Sequence, residues 1–149
     1  ESLPIPHGSI TGLPFLGESF NAVADPAFKG KGGSVQALDV NTVEQVWSHP
    51  SALPWTSGML STAGGLLFSG GADGHLYAFD AKTGKVLWKS PELTSGLESV
   101  PSTWKVDGKQ YVSVYAGWGG ASPIWGGDMA KDPAVRSIPR GGHVYVFSL

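Results

Sequence analysis

The chain contains no cysteine. That removes disulfides, zinc–thiolate sites and covalent haem attachment through C-x-x-C-H from this stretch, and leaves the redox compartment open. Charge is scarce too: Asp, Glu, Lys and Arg make up 15% of the residues and the formal net charge is −2. Such a chain lacks both the basic footprint of a nucleic-acid binder and the polybasic patch of a membrane-surface protein. No apolar run approaches the roughly 18 residues of a membrane span, and no basic-then-apolar leader opens the sequence. There is no G-x-S-x-G elbow, phosphate loop or carboxylate pair. The histidines His7, His49, His75 and His143 form no i, i+2 or i, i+4 pair. They read as surface or turn residues rather than metal ligands. Helical periodicity is absent as well.

What the chain has is glycine, proline and aromatic residues: 22 Gly, 11 Pro and 11% Phe, Trp and Tyr in 149 residues. High aromatic content argues against disorder, so the glycine and proline belong to a turn-rich folded structure of one domain's length. Period-2 patterning broken by glycine predicts short strands. We place them at Gly58–Thr62, Leu66–Ser69, His75–Asp80 and Lys85–Lys89, with Ser34–Val40 and Glu44–Ser48 upstream. Val100–Val106, Gln110–Ala116 and His143–Leu149 follow. The breaks carry tight-turn chemistry, notably Thr83-Gly84 and Asp107-Gly108. The class is all-β. The first 30 residues fit no strand pattern and read as loop.

A repeat organises these strands. Residues 77–88 read YAFDAKTGKVLW, and residues 37–47 read ALDVNTVEQVW. In both, a tryptophan follows the aspartate by eight positions (Asp39 to Trp47, Asp80 to Trp88), and the copies are offset by 41 residues. A four-stranded unit at that period is the signature of a β-propeller blade. With strands named A to D from the axis outward, the chain parses as C–D of one blade, A–D of a second and A–C of a third. Propellers have about 4–8 blades, so the expectation is a partial propeller whose other blades, and the missing D strand, come from elsewhere. The parsing also sorts the loops. Thr83-Gly84 and Asp107-Gly108 lie on one face. The D-to-A loop with Trp55 and the long B-to-C loop from Gly117 to Gly141 lie on the other, which is therefore the candidate ligand face.

The stretch WTSGMLSTAGGLLFSGGADGHLYAFDAKTGKVLWK, with DGKQYVSVYAGWGG and RGGHVYVFSL after it, closely resembles the C-terminal part of pyrroloquinoline-quinone (PQQ) dependent alcohol dehydrogenases. These are eight-bladed quinoproteins related to methanol and ethanol dehydrogenases. The likeness runs from about Gly33 to the end and implies that residues 1–149 are a C-terminal fragment of such a propeller, about two to two-and-a-half blades. It further implies a periplasmic enzyme that oxidises primary or secondary alcohols. PQQ would lie on the axis with calcium or a lanthanide, and a cytochrome c would accept electrons. The resemblance puts Trp55 and Thr56 beside the cofactor, and Trp118 and Gly119 at the active-site mouth. Ala121 and Trp125 would line the substrate pocket. Ala121 falls where methanol-specific enzymes carry a tryptophan, which implies a roomier cavity. The catalytic carboxylate and the metal ligands are expected outside this segment: Asp73, Asp80 and Asp107 sit in turn contexts, and Asp25 and Asp128 have no partner carboxylate.

Each residue has a structural reading beside the functional one. Trp47 and Trp88 serve to dock blades, and Trp104 to pack a strand. Trp55, Trp118 and Trp125 are weighed between cofactor wall and loop packing. Arg136 and Arg140 are weighed between a ligand role and solvated loop charge. For the whole chain the alternative is a non-catalytic propeller scaffold that binds peptide or protein partners in the cell envelope.

Overall fold

The computed structural model describes residues 32–119 and 131–148. Three antiparallel sheets follow one another along the chain. The first pairs β1 (Gly33–Leu38) with β2 (Gln45–Ser51). The second runs in order β3 (Leu60–Ser61), β4 (Leu66–Gly70), β5 (Leu76–Asp80) and β6 (Val86–Lys89). The third joins β7 (Ser102–Val106), β8 (Lys109–Ala116) and β9 (His143–Ser148). This is the expected two, four and three strands.

The 41-residue repeat has a physical content that composition alone hides. In each copy a small residue faces the tryptophan across the C–D pair: Ala37 opposite Trp47, and Ala78 opposite Trp88. In each, the ladder slips at the next residue, between Ala37 and Leu38 and between Ala78 and Phe79. Each aspartate then closes the turn. Asp80 Oδ1 accepts from Lys82 N and Thr83 N at 2.9 and 2.8 Å, and Asp39 Oδ1 accepts from Asn41 N and Thr42 N at 2.8 and 3.0 Å. These backbone donors hold both carboxyls below the usual aspartate range. The turn ends in a left-handed residue, Gly84 at φ 70° in one copy and Val43 at φ 60° in the other. Valine thus keeps the turn, at the cost of a backbone conformation that β-branched residues resist.

Docking follows from that turn. Trp47 Nε1 donates to Ala81 O at 3.1 Å, and the indole lies flat on Gly84. Trp47 also stacks on Phe79, with ring centroids 6.2 Å apart. The first two sheets therefore meet through aromatic rings. The second and third meet through a mainly aliphatic core in which Leu76, Leu97, Val112 and Ala116 are buried together with one aromatic ring, Phe68. Trp88 contributes there edge-on to Phe147 at 5.2 Å, in keeping with a docking role. Trp104 stacks on Tyr111 at 5.8 Å, a packing role.

Strand limits differ from expectation where a residue cannot pair. The inner strand β3 spans only two residues, because Ser57 Oγ is engaged with Ser99 O and Gly58 O accepts from Ser69 Oγ. β7 begins at Ser102 rather than Val100, since Pro101 has no N–H to give a ladder. β2 runs on to Ser51 through Pro50, tolerated because β2 is the outer edge of its sheet. Asp107 and Gly108 have φ 49° and 80°, the two positive values that a two-residue hairpin between β7 and β8 requires. One helical turn, α1 (Pro133–Arg136), sits in the segment read as loop. Asp132 caps it by accepting from Ala134 N, and Pro133 occupies its first position, a start signal too short to register as periodicity.

Candidate functional site

The strand connections of one face are stitched into a continuous patch. Ala72 N donates to Pro54 O at 3.0 Å, Leu97 N to Gly71 O at 3.0 Å and Gly117 N to Gly96 O at 2.9 Å. Thr56 Oγ1 donates to Leu97 O at 3.1 Å and Ser57 Oγ to Ser99 O at 2.7 Å. Two successive D-to-A connections and two B-to-C connections thus share one surface. Ser95, fully buried, fastens the long B-to-C loop. Its Oγ accepts from Trp118 N at 2.8 Å and donates to Pro139 O.

Trp55 and Trp118 border different cavities on this patch. Trp55 lines a cavity of about 270 Å³ with His49, Leu53, Asp73 and Tyr77. Its Nε1 donates to Ser69 Oγ at 2.8 Å, and its ring meets Tyr77 at 5.3 Å and the edge of His49 at 5.7 Å. Tyr77 donates its hydroxyl to Asp73 Oδ2. Burial first, and then the Asp73 carboxylate, raise the Tyr77 phenol far above its ordinary range. Burial lowers the His49 imidazole below its usual value, with Asp73 opposing the shift.

Trp118 and Gly119 line the second cavity, of about 410 Å³, with Glu98, Tyr115, Gly117 and Gly141. This is within the size range of small-molecule sites. Trp118 is 6% exposed and packs on Ala72, Val135 and Ile138, with Leu53 beside them. Leu53 and Ala72 thereby link the loop that carries Trp55 to Trp118. Thr56 contributes its hydroxyl to the loop patch. Gly119 has φ 122°, and Arg140 lies alongside it. Ala121 and Trp125 lie outside the described residues.

One group in this cavity was missed by sequence reasoning, which weighed aspartates only. Glu98 follows the buried Leu97 in the second D-to-A connection, and its Oε1 is buried with no hydrogen-bond partner among the described residues. Sequence offered no signal for it, because Glu92 in the same connection also stands beside a core leucine, Leu93. Among the described residues, no cluster of three His, Asp or Glu side chains is disposed to hold a metal.

Comparison with known proteins places this geometry. Residues 18–112 match the PQQ family described as "Glucose/ethanol/alcohol dehydrogenase, beta-propeller domain". The chain belongs to that family. A quinoprotein ethanol dehydrogenase of Pseudomonas aeruginosa is 49% identical over 117 residues, 78% of this chain and 18% of that protein. A 1-butanol dehydrogenase (quinone) of Thauera butanivorans is 42% identical over 138 residues, 93% of this chain and 21% of the relative. Among solved structures, a europium-containing methanol dehydrogenase superposes with a TM-score of 0.68 at 35% identity, over 78% of this chain and 23% of that one. The chain therefore spans about a fifth of the length of the curated quinoprotein relatives it matches, and its three sheets are part of a propeller.

Proposed function

We propose that this segment forms part of the cofactor and substrate wall of a PQQ-dependent dehydrogenase that oxidises primary or secondary alcohols. The observation that carries the reading is the coincidence of the family match with a cavity on the loop face, bordered by Trp118 and glycine backbone. A methyl built on Gly141 would meet nothing within 4 Å. That open backbone suits the close approach of a flat, polar group. Trp118 and Gly119 would form the edge of the PQQ site, and Trp55, braced by Ser69, would stand beside it. When bound, PQQ supplies the acceptor for the hydride of the alcohol carbon. The chain's own part is to exclude water with the Trp118 loop packing and to hold the loops in register through Ser57, Thr56 and Ser95.

The Glu98 side of the cavity suits substrate better than cofactor, because a carboxylate there repels the three carboxylates of PQQ. Calcium or a lanthanide, the catalytic carboxylate and the remaining blades would come from outside the segment. Exposed apolar side chains on the outer sheets support further blades: Val144 and Val146 are 68% and 53% exposed, Leu38 and Val46 51% and 59%. A periplasmic setting and a cytochrome c acceptor belong to the same proposal, as does the roomier pocket implied by Ala121. Nothing in the family match favours the scaffold alternative. The test uses the full-length protein, loaded with PQQ and either Ca²⁺ or a lanthanide, and follows dye reduction with a panel of alcohols. Alcohol-dependent reduction with either metal supports the reading; none with both overturns it.

A further inference from the structure

Glu98 stands out because the packing has gone to unusual trouble not to satisfy it. Its neighbours in the loop are fully engaged: Leu97 O accepts from Thr56, Ser99 O accepts from Ser57, and Ser99 Oγ donates to Tyr115 O while accepting from Tyr115 N. Glu98 alone presents a buried carboxylate oxygen, Oε1, with no donor aimed at it among the described residues. Leaving a buried acceptor unpaired is costly, so a fold that retains one invites a donor from outside the chain. The cavity that Glu98 lines supplies the entrance, and it is shared with Trp118 and Gly119.

We propose that Glu98 selects the substrate: its carboxylate accepts a hydrogen bond from a second donor on the alcohol, a neighbouring hydroxyl or an ammonium group. The inference rests on the dehydrogenase reading and specifies the substrate class of that site as diols, polyols or amino alcohols rather than simple alkanols. Tyr115, 47% exposed and lining the same cavity, takes the apolar part of such a substrate, and Glu98 reads its polar end. A simple alkanol of the same length would leave the carboxylate unpaired, and sites built to bond a polar group reject analogues that lack it.

The experiment compares kcat/KM of the full-length, PQQ- and metal-loaded enzyme for 1,2-propanediol, 2-amino-1-propanol and 1-propanol, in wild type, Glu98→Gln and Glu98→Leu. Wild type is expected to prefer the donor-bearing substrates. In Glu98→Leu the ratio of kcat/KM for donor-bearing over plain alcohol is expected to fall about tenfold to hundredfold. Glu98→Gln keeps an acceptor without the charge, so it is expected to retain most of the preference for the diol and to lose most of that for the amino alcohol. Calorimetry on the protein without PQQ gives a readout independent of turnover: pinacol, which has two hydroxyls and no oxidisable carbinol hydrogen, should bind wild type at least tenfold tighter than tert-butanol does, and Glu98→Leu should lose that margin. A wild type without preference, or variants that shift all three substrates and the pinacol margin equally, overturns the proposal. Absence of any alcohol oxidation in the loaded enzyme overturns the dehydrogenase reading instead, and calorimetry still decides the role of Glu98.

Discussion

Replacing Gly84 by alanine tests the docking logic of the repeat. Two separate costs meet at this position. The first is backbone: at φ 70° an L-residue pays about 1–2 kcal/mol. The second is the neighbour. A Cβ on Gly84 would lie 2.5 Å from Trp47 Cδ2 and 2.6 Å from Cε3, so the indole must move off the turn. Moving it strains or breaks the Nε1 bond to Ala81 O and opens its contact with Phe79. The hydrogen bond contributes about 0.5–1.5 kcal/mol, and partial loss of the ring's burial adds about 1–2 kcal/mol. The sum is a loss of about 2.5–5.5 kcal/mol. Gly108 provides the control, because it has φ 80° but a Cβ there would meet nothing within 4 Å. Gly108→Ala should therefore cost only the backbone part, about 1–2 kcal/mol. Equilibrium urea unfolding of the full-length protein, followed by tryptophan fluorescence, measures both. If the two variants lose the same stability, Trp47 does not dock on Gly84 as described.

Three further outcomes are expected. Val43→Gly relieves about 1–3 kcal/mol of left-handed strain and gives back about 0.5–1 kcal/mol through the freer unfolded chain, so net stabilisation near 1 kcal/mol should appear as a higher urea midpoint. Ser95→Ala leaves Trp118 N–H and Pro139 C=O without their shared partner; it should cost about 1–3 kcal/mol and shift the Trp118 emission, and an unchanged midpoint would remove Ser95 as the fastener of the loop. His49 is less basic folded than unfolded, with burial as the first cause. Its contribution to stability is therefore full above its ordinary value of 6.5 and declines as pH falls below it, because the unfolded chain then binds more protons. Unfolding midpoints between pH 7.5 and pH 5 should fall in wild type and fall less in His49→Phe.

The strand plan was legible because it is written in residues whose role is local. Asp-Gly at 107–108 carries its hairpin in its own backbone preferences, and Asp80 with Thr83 builds its turn from neighbours two and three positions away. The tryptophan period was legible too, although only the fold shows that each tryptophan faces an alanine across the ladder and that Trp47 rests on a bare turn of the next blade. The site was far less legible. Trp55 and Trp118 are both loop tryptophans in sequence, yet one is braced between aromatic blades and the other is buried among Ala72, Val135 and Ile138. Which cavity each borders depends on contacts between connections more than 40 residues apart, such as Thr56 with Leu97. No local pattern encodes those.

Glu98 shows the same limit from the other side. A glutamate in a loop ordinarily reads as solvated charge, and nothing in TSGLES distinguishes it from Glu92 six residues earlier. What distinguishes it is that Leu97 is drawn completely into the core between the second and third sheets. That anchor draws the following residue into the cavity wall, where its Oε1 is buried away from solvent. The hydrophobic core thus decides which polar group becomes available to a ligand. In a fold where every blade repeats the same strands, function has to come from such departures: one acidic side chain placed where the neighbouring loop residues have all found partners, on the face that the repeat itself leaves free.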